Sequence, residues 1–139
     1  MKRLLTTSLA LLLVFTLCNE TASALETYAS FTLMGYSARL SAGNSSGSLI
    51  ISYDVRASKQ ADSVGVSKIT LYDSNNNFIT TISGSTDNGL ICEKSSINKG
   101  TYTHTLTSGI SYYAEVTVFA TVGNTTDQRV VTTKAVVAP

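Results

Sequence analysis

His104 is the only histidine in this 139-residue chain, so any mechanism built on imidazole has to pass through it. A Ser-His-Asp arrangement needs that ring beside an activated hydroxyl and an orienting carboxylate. Serines and threonines abound, yet none lies in a Gly-x-Ser-x-Gly setting. His104 itself alternates with Tyr102 and Leu106 along one side of an extended stretch, which suits a strand residue at the edge of a core, hydrogen-bonded or half-exposed. A single histidine also excludes histidine-rich metal sites. Asp73, Asn75 and Asn77 place oxygen ligands at alternate positions, as a calcium loop does at its start. The sixth position, however, is Phe78 where that loop needs glycine, and the twelfth is Gly84 where it needs a bidentate acid. Cys92 is open to three readings: a thiol nucleophile, an intermolecular bridge, or a small buried hydrophobe. Its nearest cation is Lys94 and Leu90 shares its parity, which favours the hydrophobe. Asp54, Asp62, Asp73, Asp87, Glu93, Glu115 and Asp127 are scattered over different segments rather than paired. We therefore expect no catalytic residue, no cofactor and no metal site.

The elements that position these residues are strands. From Tyr112 to Thr121 the residues alternate, with Tyr112, Ala114, Val116, Val118 and Ala120 on one side and Tyr113, Glu115, Thr117, Phe119 and Thr121 on the other. The first row suits a core. Leu106, Gly109 and Tyr112, each three residues apart at the start of this strand, resemble the tyrosine corner of immunoglobulin-like and fibronectin type III sandwiches. In that motif the phenol hydroxyl bonds back to the preceding turn, so Tyr112 is expected inside and Tyr113 outside. Ser30 to Leu40 changes parity at Gly35 and reads as one bent strand. Leu49, Ile51, Tyr53 and Val55 form an inward row, and Ala57 to Val66 is polar before Val64 and Val66. Beyond it Ile69 and Leu71 take the opposite parity, which places either a bulge near Ser67 or a loop plugging the end of a sandwich. Lys68 to Tyr72 and Phe78 to Ile82 flank an Asp-Ser-Asn-Asn-Asn turn and predict a hairpin. Leu90 to Cys92 is an apolar island between polar stretches. Thr101 to Leu106, the organising strand, a turn at Val122 to Thr126 and a last strand from Gln128 to Val137 complete the series. About seven short strands, with no helical period, predict an all-β antiparallel sandwich.

Lys2 and Arg3, the apolar run from Leu9 to Leu17 and Ala22-Ser23-Ala24 together read as a secretory signal peptide over residues 1–24. The apolar run falls short of the roughly 20 residues a bilayer requires, so cleavage and release are expected, with no stable membrane insertion afterwards. Of 139 residues, removal of 24 leaves 115, enough for one domain over 25–139. That part retains eight of the ten Lys and Arg and eight of the nine Asp and Glu, so its formal charge is zero and no nucleic-acid partner is implied. Cys18 leaves with the leader. Cys92 then has no partner for an internal disulfide, so the core and the strand ladders must hold the fold. Asn44-Ser45-Ser46 and Asn124-Thr125-Thr126 match glycosylation sequons, relevant only in a host that glycosylates.

Taken with the corner, the stretches Tyr28 to Ser30, Tyr36 to Leu40, Ser58 to Val66, Tyr113 to Ala120 and Arg129 to Thr133 resemble a family of small secreted Gram-positive bacterial proteins. These are single immunoglobulin-like or fibronectin type III-like domains of unknown function, so the resemblance implies a fold and no catalytic residues. The chain departs from better-known relatives in lacking tryptophan and a cysteine pair, and in carrying Ser108 where the corner usually has proline. The leading expectation is a secreted interaction module whose partner is a protein or a cell-surface glycan. Tyr72, Tyr113 and Phe119 would be its outward aromatics, with the segments Ala57 to Val66 and Val122 to Thr126 as alternative end loops. A small secreted hydrolase and a structural, self-assembling surface protein are the competing readings.

Overall fold

A computed structural model describes residues 32–139; the expected leader over 1–24, residues 25–29 and the first two residues of the expected first strand lie outside them. Strands account for 73% of the described residues, no helix is among them, and every ladder is antiparallel. The elements are β1 (Leu33–Ala42), β2 (Ser48–Asp73), β3 (Phe78–Ser83), β4 (Ile91–Thr105), β5 (Ser111–Val122), β6 (Thr125–Thr132) and β7 (Val136–Val137). They form one continuous sheet, curled into a half-barrel.

The spine is β2, 26 residues long. Leu49 to Arg56 pair with β1 on one edge and β4 on the other, Ser63 to Gly65 with β5 and β4, and Lys68 to Tyr72 with β5 and β3. One strand therefore serves as the centre of two sheet halves. Its inward row starts with Leu49, Ile51, Tyr53, Val55 and Ala57, passes to Val64 and Val66, and returns to the first parity at Ile69 and Leu71. Ala61, 1% exposed, keeps the first parity beyond a register slip between Arg56 and Ala61, the row changes side between Ala61 and Val64, and its return coincides with the slip between Val66 and Lys68. A bulge adds a residue, bends the strand and restores the core side. The segment Ala57 to Val66, expected as a polar loop, is thus a bent piece of strand, and of the two options at Ser67 the bulge is observed. The bend in the first strand is also present, as a register slip between Leu33 and Gly35.

The core fills the inside of the curl. Leu40 from β1 meets the β2 row and Ala114, Val116, Val118 and Ala120 from β5. Tyr112 is 3% exposed and its hydroxyl donates to the Thr107 carbonyl at 3.3 Å. The last residues cover the same end: Ala138 exchanges backbone bonds with Gly109 and Ile110, at 2.8 and 2.9 Å. The expected strand Gln128 to Val137 is divided at Thr133, whose backbone amide donates to Ala114 O and whose hydroxyl accepts from Ala114 N at 3.0 Å. The Leu90 island closes the interior. Leu90 is fully buried, and Asn98, 8% exposed, donates from Nδ2 to the carbonyls of Leu90, Gly89 and Val64 at 2.8, 3.3 and 3.4 Å. Tyr53 adds its hydroxyl to Gly89 O at 2.9 Å.

Candidate functional site

The outer face of the β3–β2–β5 half carries the aromatic residues. The register sets Phe78, Tyr72 and Tyr113 opposite one another on three adjacent strands. Tyr72 stacks on Tyr113 with ring centroids 5.2 Å apart and planes 16° from parallel, and Phe78 meets Tyr72 edge-on at 6.4 Å. Such offset and T-shaped pairs are the favoured aromatic geometries. Both hydroxyls are engaged: Tyr72 donates to Glu115 Oε2 at 3.3 Å and Tyr113 to Asn76 Oδ1 at 3.0 Å. Desolvation first, and the Glu115 carboxylate second, push the Tyr72 hydroxyl above its ordinary range. The rings therefore stand in a fixed row, and the outermost, Phe78, is 62% exposed.

Phe119 does not belong to this row. It lies on the outward parity with Tyr113, as the alternation requires, but it is 9% exposed, opposite Gly65 on β2 and Gln128 on β6. Parity assigns a side of the sheet without saying whether that side is wet. Phe78, which the sequence placed in a strand without singling it out, takes its position. The signal was available, because a hairpin around Asp73 to Asn77 sets the residue after the turn against Tyr72.

The turn itself is built by Asp73. Its Oδ1 accepts from the amides of Asn75 and Asn77 at 2.8 and 2.9 Å, and its Oδ2 from Asn77 Nδ2 at 2.8 Å. These bonds, the Asn77 side chain foremost, hold the carboxyl below the usual carboxylate range. Its oxygens cap the hairpin, and Asn76 takes the left-handed conformation, φ 65°, that the turn requires.

His104 is half-buried on the inward row opposite Leu49, and Cys92 is half-buried against the core. Among the described residues no three of His, Cys, Asp and Glu converge on a point that could hold a metal ion. The second expected end loop is a tight turn between β5 and β6. The Gly123 amide there donates to Asp62 Oδ2 at 2.8 Å, while Lys94 Nζ bonds Asp62 Oδ1 at 2.7 Å. Lys94 and Gly123 hold the Asp62 carboxyl below its ordinary range.

A different surface lies over the β1–β2–β4 half. A shallow groove of about 800 Å³ is lined there by Ser37, Arg39, Ser52, Asp54, Lys99 and Thr101, residues that share one face of the sheet. Asp54 takes both Arg56 Nε and Nη2 at 2.9 Å, a bidentate pair that keeps its carboxyl ionised below the usual range.

No known protein family, curated protein or solved structure matches the chain.

Proposed function

We propose that this chain is a secreted, non-catalytic binding module whose working surface is the row Phe78, Tyr72 and Tyr113. The observation that carries the reading is the arrangement of that row. Three mutually packed rings span three strands, two are fixed by hydroxyl bonds, and the third offers most of its surface to solvent. Rings held in place lose little conformational freedom on binding, and so favour recognition of a sugar face or an apolar protein patch. The partner class is a cell-surface glycan or a protein. Within the same reading the curled sheet is an immunoglobulin-like or fibronectin type III-like fold, related to small secreted Gram-positive bacterial domains, and the tyrosine corner at Tyr112 supports that assignment.

The self-assembling alternative draws on the outer edge of β4, which has no strand partner among the described residues. Glu93, Lys94 and Lys99 lie along that strand, and Lys94 has φ 51°, so charge and a local kink work against edge-to-edge pairing. The hydrolase alternative has only His104 to build on.

One paired screen tests the proposal. Purified mature protein and the Phe78→Ala variant are compared on an array of neutral oligosaccharides and surface proteins, and on glycosidase, esterase and protease substrates with and without chelator. Binding lost in Phe78→Ala, with the far-ultraviolet spectrum unchanged, is the expected result. Activity that disappears in His104→Ala, or on chelation, would refute the binding reading in favour of an enzyme.

A further inference from the structure

We propose that the groove over β1, β2 and β4 is a second binding site, separate from the aromatic row, and that its ligand is an acidic saccharide. The inference begins with charge. The chain after its leader carries eight cations and eight acids, yet Arg39, Arg56 and Lys99 gather here with Asp54 alone for company. Asp54 is committed to Arg56. Arg39 and Lys99 are exposed and make no ion pair among the described residues.

The pattern of groups across the groove narrows the ligand further. The register aligns Ser37, Asp54 and Lys99 in one row and Arg39, Ser52 and Thr101 in the next. Arg39 and Lys99 therefore stand at opposite corners, two strands and two residues apart, roughly 12 Å between Cα atoms from strand spacing and rise. Between the corners lie three hydroxyls and the Asp54 carboxylate, all able to accept hydrogen bonds. The complementary ligand has anionic groups at its ends, for the guanidinium fork and the ammonium, and hydroxyl donors in between. An acidic saccharide has that composition. An acidic peptide such as a run of glutamates brings carboxylates without hydroxyl donors.

The charge on the saccharide can be carboxylate or phosphodiester, and both present the same oxyanion to Arg39 and Lys99. The test measures binding of the mature protein to trigalacturonate, a phosphodiester-linked glucose oligomer, neutral maltotriose and hexaglutamate at low and physiological salt. At least one anionic saccharide binds, weakens with salt, and loses about tenfold in affinity on Arg39→Gln or Lys99→Gln, the equivalent of one charge-assisted contact. Whichever oligomer binds more tightly identifies the anion. Phe78→Ala leaves this binding unchanged, which separates it from the aromatic surface. The proposal is overturned if neither acidic oligomer binds, if maltotriose binds equally, if hexaglutamate binds as well as the saccharides, or if the double Arg39→Gln, Lys99→Gln variant, folded by its spectrum, binds as wild type does.

Discussion

Replacing Asn98 by aspartate should convert the most connected polar side chain of the interior into a pH-dependent fault. The Asn98 amide faces three carbonyl oxygens, of Leu90, Gly89 and Val64. Two of these have other donors, since Leu90 O also accepts from Val66 N at 2.7 Å and Gly89 O from the Tyr53 hydroxyl at 2.9 Å. Losing the amide therefore removes hydrogen bonds without stranding those acceptors, at a cost of about 1–2 kcal/mol. The introduced carboxylate adds a larger penalty, because it sets a charge 8% exposed against oxygens that repel it. About 3–4 kcal/mol at pH 7 is expected in total, a large part of the stability of a domain this size.

Burial and the facing carbonyls raise the folded-state pKa of the introduced group above its unfolded value of about 3.9. The folded variant then holds its proton at pH values where the unfolded chain has released it. The penalty relative to wild type therefore grows as pH rises above about 4 and levels off above the folded pKa. Urea melts of Asn98→Asp and wild type at pH 4 and pH 7 measure this, with Asn98→Ala as a reference that cannot titrate. A pH-independent difference, or one below about 1 kcal/mol at pH 7, would mean that the amide nitrogen is not what faces those carbonyls.

Tyr112→Phe should lower stability by about 1 kcal/mol in urea melts, through loss of the bond to Thr107 O. Tyr113→Phe, whose bond to Asn76 is exposed, should cost less than about 0.5 kcal/mol; equal costs would place the wrong tyrosine inside. Gly47 has φ 74° and a Cβ there would sit 2.0 Å from Leu106 O, so Gly47→Ala should reduce the thermal midpoint by several degrees and leave no room for local relief. Asp62 and Asp73 have lowered folded-state pKa values, so the stability they contribute is present above the unfolded carboxylate pKa. It is lost as pH falls through their folded values. Acid titrations of Asp62→Asn and Asp73→Asn should each show a shallower loss below about pH 4 than wild type. N-terminal sequencing of exported protein should begin at Leu25; leader retained in a membrane pellet would contradict the signal-peptide reading.

The strands with one dry side were legible because their alternation is a direct image of burial. Leu49 to Val55 follow it throughout and Tyr112 to Val116 do so until Thr117 and Phe119 make the second side of β5 dry as well, and the buried Tyr112 with its hydroxyl bonded to the preceding turn was visible as leucine, glycine and tyrosine spaced by threes. The first ten residues of β4 were not legible. They carry Glu93, Ser95, Ile97 and Lys99 on one face, and on the other they present Asn98 and Gly100 where a hydrophobic pattern would be sought. Both have tertiary causes. Asn98 must be an amide because loop carbonyls converge on it, and Gly100 must lack a side chain because Tyr53 lies across it, its hydroxyl 2.8 Å from where a Cβ would be. Neither requirement is written in neighbouring residues.

The spine strand shows the same limit and links it to the two surfaces. Ser58, Lys59, Gln60, Asp62 and Ser63 look like a loop because a strand that bends between two sheet halves wets both of its faces at the bend. Ladder bonds still form through it, as Ser63 to Gly65 pair with β4 and β5 at once. Reading that stretch as a loop divides β2 into two unrelated strands and hides what its continuity does. One backbone carries Ser52 and Asp54 on the groove and Tyr72 on the aromatic row, with two bulges in between that fix how each surface is turned. Ser67 is the extra residue of the second bulge, since Val66 stands opposite Val118 and Lys68 opposite Thr117. Its deletion therefore straightens the strand while Ile69 and Leu71 stay inward and Tyr72 outward. One residue inserted between Lys68 and Ile69 would instead turn Ile69 and Leu71 outward and Tyr72 inward. The aromatic row would be destroyed in the insertion and kept in the deletion, while β1, the first half of β2 and β4 held their register in both. Loss of aromatic-row binding in the insertion alone, with the Arg39 and Lys99 groove still occupied by its ligand, is the outcome that the continuous spine requires.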